Sequence, residues 1–218
     1  MANSSPRFIL RLSTLRRRPG ASYNEGVIRV AALLLAMSVL SPRSAPGGEG
    51  GALVGRPSPE WPDRVWVQGG PLHLRDLRGK VVLLRFFMES GCPFCRATAP
   101  TLNALQEELG PRGLVVVGMY TPKPRPRTTP VDEVRTFVKD YGFTFPVAVD
   151  DDWGALRALW LDRVPGASFT SASLVIDRQG IVRHVHPGGA FAADGRDPQA
   201  RRDYEALRGA VERALEAP

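Results

Sequence analysis

Cysteine and histidine are scarce in this chain, with two Cys and three His among 218 residues. The two cysteines, Cys92 and Cys95, enclose only two residues. A disulfide framework wants wider spacing, because so short a loop restrains little of the unfolded chain. A zinc site on the pair would need two more ligands, and His73, His184 and His186 are the only imidazoles to supply them. The amino-terminal segment holds no cysteine, which excludes a lipid-modified anchor there. Long apolar runs are missing too: the run at 30–40 is eleven residues, whereas a helix crossing a bilayer needs about 20. Charge of one sign is also scarce in the body of the chain. The formal net charge is +7, but residues 1–50 carry seven Arg against two Glu, leaving 22 basic and 20 acidic residues in 51–218. A domain so nearly neutral gives no support to a nucleic-acid partner.

What is present begins with an ordered amino terminus. Arg16, Arg17, Arg18 and Arg29 precede the apolar run 30–40, and a polar exit rich in small residues follows. That order is the pattern of a secretory signal or short signal-anchor, and predicts an extracytoplasmic, periplasmic location. Residues 30–40 would be the membrane tether if the segment is retained. Residues 1–50 are therefore assigned to signal and linker, with the Gly-, Pro- and Ser-rich stretch 41–60 as linker, and 51–218 to one domain. An apolar fraction of 43% is enough to fill a core for that domain.

Within it, two short apolar pieces at 65–67 and 72–74, joined by Gly69-Gly70, predict an edge β-hairpin. The run 81–87 is apolar on both faces except at Arg85, as expected of a central strand. From Cys92 the pattern becomes helical, with Ala97, Leu102, Leu105 and Leu109 on one stripe, until Gly110-Pro111 ends it. Further strands are expected at 114–119 and 147–149, helices at 131–141 and 153–161, a hairpin across 178–180, and a closing helix at 200–215. The basic, proline-rich segment 121–130 reads as a solvated loop, and Trp153, Trp160, Phe143 and Phe145 as core. Strands alternating with helices give an α/β sandwich around a mixed sheet.

The chemistry is concentrated where the strand 81–87 runs into Cys-Pro-Phe-Cys at a helix start. Unpaired backbone N–H groups and the helix dipole at that end stabilise a thiolate on Cys92 and make it a nucleophile. Cys95, less than a turn on, can attack a mixed disulfide formed at Cys92 and release the reduced partner. A thioredoxin-fold copper or other metal chaperone, using the thiolates and an imidazole, is the alternative of another class. Such chaperones space their cysteines more widely, and His184 and His186 read as a polar strand edge. A thiol peroxidase is a further alternative, but the positions three and seven before Cys92 hold Glu89 and Arg85 instead of the Thr or Ser and the Pro that hold peroxide.

The segment GKVVLLRFFMESGCPFCRATAPTLNALQEEL resembles the active-site region of TlpA-like thiol-disulfide oxidoreductases, and SLVIDRQGIVRHVHPGG resembles their late hairpin. The likeness covers about residues 53–215. It implies a thioredoxin-like fold with a mixed central sheet flanked by helices, and disulfide exchange of the protein-disulfide reductase type. It also implies a protein disulfide substrate, an upstream thiol protein as reductant, and no cofactor. Carried over position by position, it makes Cys92 and Cys95 catalytic and puts Gly91, Pro93 and Phe94 beside the substrate. Gly91 stands where many relatives have Trp, which should open the sulfur to solvent. Relatives keep a buried carboxylate in the strand; here the nearby charges are Arg85 and Glu89, and Glu89 is the candidate proton relay to Cys95. Relatives also place a cis-proline opposite the cysteines, whereas residues 169–173 contain no proline. Trans geometry is expected there, with Thr170 or Ser171 facing the substrate.

Overall fold

The computed structural model describes residues 48–88 and 91–218. Glu89 and the run 30–40 lie outside the described residues. The described residues belong to one compact unit.

Seven residues, Val81–Phe87, make the central strand β2, all of them buried. With β1 at Val65–Gln68, β3 at Leu114–Tyr120, β4 at Val147–Val149, β5 at Ser173–Ile176 and β6 at Val182–His186, it forms one six-stranded sheet in the order β1-β4-β3-β2-β5-β6. The β2, β3 and β4 pairings are parallel, while β1 on β4, β5 on β2 and β6 on β5 are antiparallel. Parallel strands need helical crossovers. Helix α1 at Pro93–Leu109 connects β2 to β3, and α2 at Val131–Asp140 connects β3 to β4. A short α3 at Gly154–Leu156 continues into the π-helical turn Arg157–Leu161, and α4 at Pro198–Glu216 closes the chain. This is the mixed sheet flanked by helices that the sequence implied.

Because strand side chains alternate, β2 feeds two cores. Val81, Leu83 and Phe87 face α1, α2 and α4, where they meet Leu102, Leu105, Val134, Phe137 and Leu207. Val82, Leu84 and Phe86 face the other way, onto Trp61, Leu156, Leu159 and Trp160. Arg85 falls between Leu83 and Phe87, so its side chain starts from the α1 side. On α1 the buried stripe is Cys95, Ala99, Leu102, Leu105 and Leu109; Ala97 is exposed, and Ala99 takes its expected place. Trp160, Phe143 and Phe145 are core, and Trp153 is half-buried with its indole N–H donating to the Pro122 carbonyl at 2.8 Å.

Two expectations are corrected. The amino-terminal β-hairpin does not form: β1 pairs with β4, and the chain beyond it enters a 3-10 turn at Leu74–Leu77. The backbone that would have paired with β1 is engaged elsewhere. The Leu74 and Arg75 N–H groups donate to the Glu60 carboxylate at 2.6 and 2.8 Å, the Leu72 carbonyl accepts from the Trp61 indole at 2.9 Å, and Pro71 has no N–H to give. The second correction concerns the linker. Residues 55–58 lie along the start of β6, with Gly55 N–H donating to Val182 O at 2.8 Å and Ser58 N–H to Gly180 O at 2.9 Å. Leu53 and Trp61 are buried, so this stretch is part of the domain.

Candidate active site

The site is built where β2 stops and α1 begins. Gly91 turns the chain at φ 143, backbone that side-chain-bearing residues rarely adopt. Cys92 is the N-cap of α1 and Pro93 its first residue, a position where the missing proline N–H is no loss. The Cys95 N–H donates to Cys92 Sγ at 3.2 Å, and the two free sulfurs are direct neighbours, the Cys95 thiol donating to Cys92 Sγ.

These contacts split the two thiols. Hydrogen bonding from the Cys95 thiol, then from the Cys95 and Phe94 backbone N–H groups, lowers Cys92 from 9.0 to about 6; the Arg85 charge adds to this, while burial opposes it. The same thiol–thiol bond, with burial next, pushes Cys95 up. At neutral pH Cys92 is the thiolate and Cys95 holds the proton. Alkylation of the reduced chain by iodoacetamide should therefore rise to half its plateau rate near pH 6. A half-rise near pH 8.5, the ordinary thiol range, would show that the helix end does not activate Cys92.

Cys92 is 8% exposed and Cys95 3%. The expectation that Gly91 leaves the sulfur open is thus corrected: the space beside Gly91 is empty, but the cysteine itself is mostly covered. Pro93 is exposed and Phe94 is 47% exposed, on the first turn of α1. Thr170 is half-buried, with its hydroxyl 3.9 Å from Met88 Sδ at the end of β2, whereas Ser171 is buried. Cis bonds among the described residues are Gly70-Pro71 and Lys123-Pro124, so 169–173 is trans, as expected. The Ala172 carbonyl there accepts from the Phe86 N–H at 3.0 Å.

Sequence reasoning noted Arg85 as a charge in the strand and gave it no role at the site. Arg85 is 1% exposed and donates to Ser173 Oγ at 3.1 Å and to Gly189 O at 2.7 Å, with its guanidinium 5.3 Å from the centre of the Phe191 ring. Burial lowers it to about 10, and the charges of Cys95 and Cys92 oppose that shift. The signal was available as a lone charge in an apolar strand, two residues before Phe87 and so on the face that receives α1. Lys123 was also missed. The segment 121–130 is solvated at 124–126, but Thr121 and Pro122 are buried. Lys123 is half-buried, its ammonium lowered by burial while the two cysteines pull it up.

The histidines do not converge. His73 pairs with Asp63 at 3.6 Å, and His186, buried between β6 and α4, lies 3.5 Å from Asp203. Burial first and Arg85 next lower His186 to about 4, so it is neutral at neutral pH. Among the described residues no three His, Cys, Asp or Glu side chains are grouped to hold a metal.

A paired thiol and thiolate at a helix start, directly after the central strand of a mixed sheet, define a dithiol protein of thioredoxin-like fold. The chain belongs to the AhpC/TSA family, whose model matches residues 54–185. It is similar to the thiol-disulfide oxidoreductase ResA of Halalkalibacterium halodurans, 27% identical over 123 residues that cover 56% of this chain and 62% of that one. It is also similar to protein DipZ of Mycobacterium bovis, 30% identical over 118 residues, 54% of this chain and 16% of that one. The chain thus spans less than two thirds of these relatives. Among solved structures, the thioredoxin-like superfamily protein SPOA0173 aligns with a TM-score of 0.55 at 25% identity, over 74% of this chain and 97% of that one. A thiol:disulfide interchange protein from Chlorobium tepidum TLS aligns with a TM-score of 0.52 at 24% identity, over 73% of this chain and 97% of that one.

Proposed function

We propose that this chain is a thiol-disulfide oxidoreductase that exchanges disulfides with protein substrates outside the cytoplasm. The observation that carries the reading is the dithiol itself: two free cysteines side by side at the start of α1, with the Cys95 N–H donating to Cys92 Sγ at 3.2 Å. The likeness to ResA supports it, and the basic-then-apolar order of residues 16–40 supports export.

The steps follow from the thiolate on Cys92 and the proton on Cys95. The Cys92 thiolate attacks one sulfur of the substrate disulfide; the Cys92–substrate bond forms as the substrate S–S bond breaks, and the departing sulfur takes a proton from water. Cys92 is now neutral, and the bond that held the proton on Cys95 is gone. Cys95 then loses its proton and attacks Cys92 Sγ, closing the internal disulfide and expelling the second substrate thiolate. Two electrons have passed to the substrate, and an upstream dithiol protein must return them for the next cycle. Phe94, exposed on the first turn of α1, and Thr170, at the end of β2, are the side chains proposed to meet the substrate beside Cys92. Gly91 and Pro93 leave that edge without bulk, and buried Ser171 would shape it through its backbone. Glu89 remains the candidate proton relay for Cys95.

The test is incubation of the purified chain in glutathione buffers of graded ratio, with alkylation to count free thiols, followed by turnover of insulin disulfides. A reversible loss of two thiols together with insulin reduction supports the reading. A pair that never closes, or one that closes without exchanging with any protein disulfide, overturns it.

A further inference from the structure

A buried charge is costly without a partner of opposite sign, and among the described residues no carboxylate pairs with Arg85. Its contacts are a hydroxyl, a carbonyl and an aromatic face, all neutral, and its Nε has no hydrogen-bond partner. The nearest titratable neighbour on the β6 side, His186, is neutral at neutral pH, and Asp203 pairs with that histidine. On the other side stand the two cysteines, on the same face of the sheet and in one core cluster with Phe191. Lys123, the second cation near the sulfurs, is half-buried and screened by solvent, so it is the weaker influence.

We propose that the Arg85 guanidinium is the built-in counter-ion of the reduced cysteine pair, and that it biases the pair toward its reduced form. This rests on the oxidoreductase reading and concerns the potential at which the pair works. With glutathione as reductant, the Cys92–Cys95 bond and two glutathione S–H bonds break and the glutathione disulfide forms. Cys92 leaves as thiolate, Cys95 takes one proton, and the other goes to solvent. The two electrons move from glutathione to the protein. The reaction therefore creates one negative charge beside a positive charge that is already buried. In the disulfide state the cation is left facing a neutral bond in a low-dielectric interior, where an unpaired charge is least tolerated. A fixed cation near a nascent thiolate thus favours reduction, and its own position is held by Ser173, Gly189 and Phe191.

The experiment measures the thiol-disulfide equilibrium with glutathione for the full chain, for Arg85→Met, which keeps the length without the charge, and for Arg85→Lys, which keeps the charge. Thiolate absorbance at 240 nm across pH is read in parallel, and circular dichroism checks folding. The Met variant should shift the equilibrium at least tenfold toward the disulfide, about 30 mV for a two-electron couple, and move the Cys92 titration upward by about one unit. Arg85→Lys should recover most of both effects, which a purely structural role for the side chain would not predict. A folded Met variant with an unchanged equilibrium and titration overturns the proposal. If the wild-type pair never closes, the oxidoreductase reading itself has failed, so the two failures are distinct. Should Arg85→Met not fold, the side-chain Nε–Hε NMR signal of Arg85 in the wild-type chain decides. It should move on reduction and titrate with Cys92, and a signal unmoved by both overturns the proposal.

Discussion

Serine in place of Cys92 is expected to lower the rate of thiol-disulfide exchange by roughly a thousandfold or more, because the attacking atom itself is lost. An alcohol at this helix start cannot ionise near neutral pH, whereas the Cys92 thiol, lowered to about 6, is largely thiolate there. Cys95→Ser should behave differently. Its Cys92 can still attack, but nothing resolves the adduct, so a mixed disulfide with substrate or glutathione accumulates in proportion to Cys92. Non-reducing gels with mass spectrometry read the two outcomes directly. If Cys92→Ser still forms the adduct and Cys95→Ser does not, the roles are reversed and the helix end is not the activating element. In Cys95→Ser the thiol hydrogen bond to Cys92 is also replaced by a hydroxyl, so any change in the Cys92 titration of that variant measures what the neighbouring thiol contributes.

The largest stability effect away from the sulfurs should come from Asp150→Ala. Asp150 follows β4 and is fully buried. Its carboxylate accepts from the Ala155 and Leu156 N–H groups at 2.8 and 2.9 Å and lies 3.0 Å from Arg64 Nε. Truncation strips the start of α3 of its acceptor and leaves Arg64, itself mostly covered, with only the exposed Asp152. Breaking one partner out of a buried pair typically destabilises by about 3–5 kcal/mol, or roughly 10 °C in melting temperature for a chain of this size. Asp150→Asn keeps one accepting oxygen and should lose about half as much. Urea unfolding midpoints of the reduced proteins provide the measurement. A loss below about 1 kcal/mol for the alanine variant would mean that water replaces the carboxylate at the start of α3.

Much of the architecture is legible in the residues themselves. The apolar run at 81–87, interrupted only by Arg85, reads as a strand covered on both faces, and it is β2. The stripe from Cys95 to Leu109 spans the turns of α1, and the hairpin turn at Gly180, whose φ of 77 suits glycine, joins β5 to β6. These signals are local, because the backbone period and the turn chemistry are written within ten or so residues. The 65–74 hairpin failed for the complementary reason: two short apolar pieces around a glycine pair say that a strand is present without saying which strand it joins. Glu60 and Trp61 claimed the second piece. The Pro- and Gly-rich stretch before residue 60 had the composition of a linker, yet its backbone found free partners along β6.

At the site, the cysteine spacing and the place of Cys92 at a helix start are what the proposal of attacking and resolving thiols is read from, since a helix start presents unpaired N–H groups whatever surrounds it. The sequence by itself therefore determined the strand-to-helix junction and the dithiol that stands on it. What the tertiary structure decided is the electrostatic setting. Arg85 meets Ser173, 88 residues away, and Gly189, 104 residues away, and that meeting holds its charge inside the protein, on the sheet face whose core includes the cysteines, instead of releasing it to solvent. A charge in a strand has one of two faces to choose, and its energy depends on what the opposite layers bring to it. Those layers are assembled from contacts between distant segments, which no local pattern records.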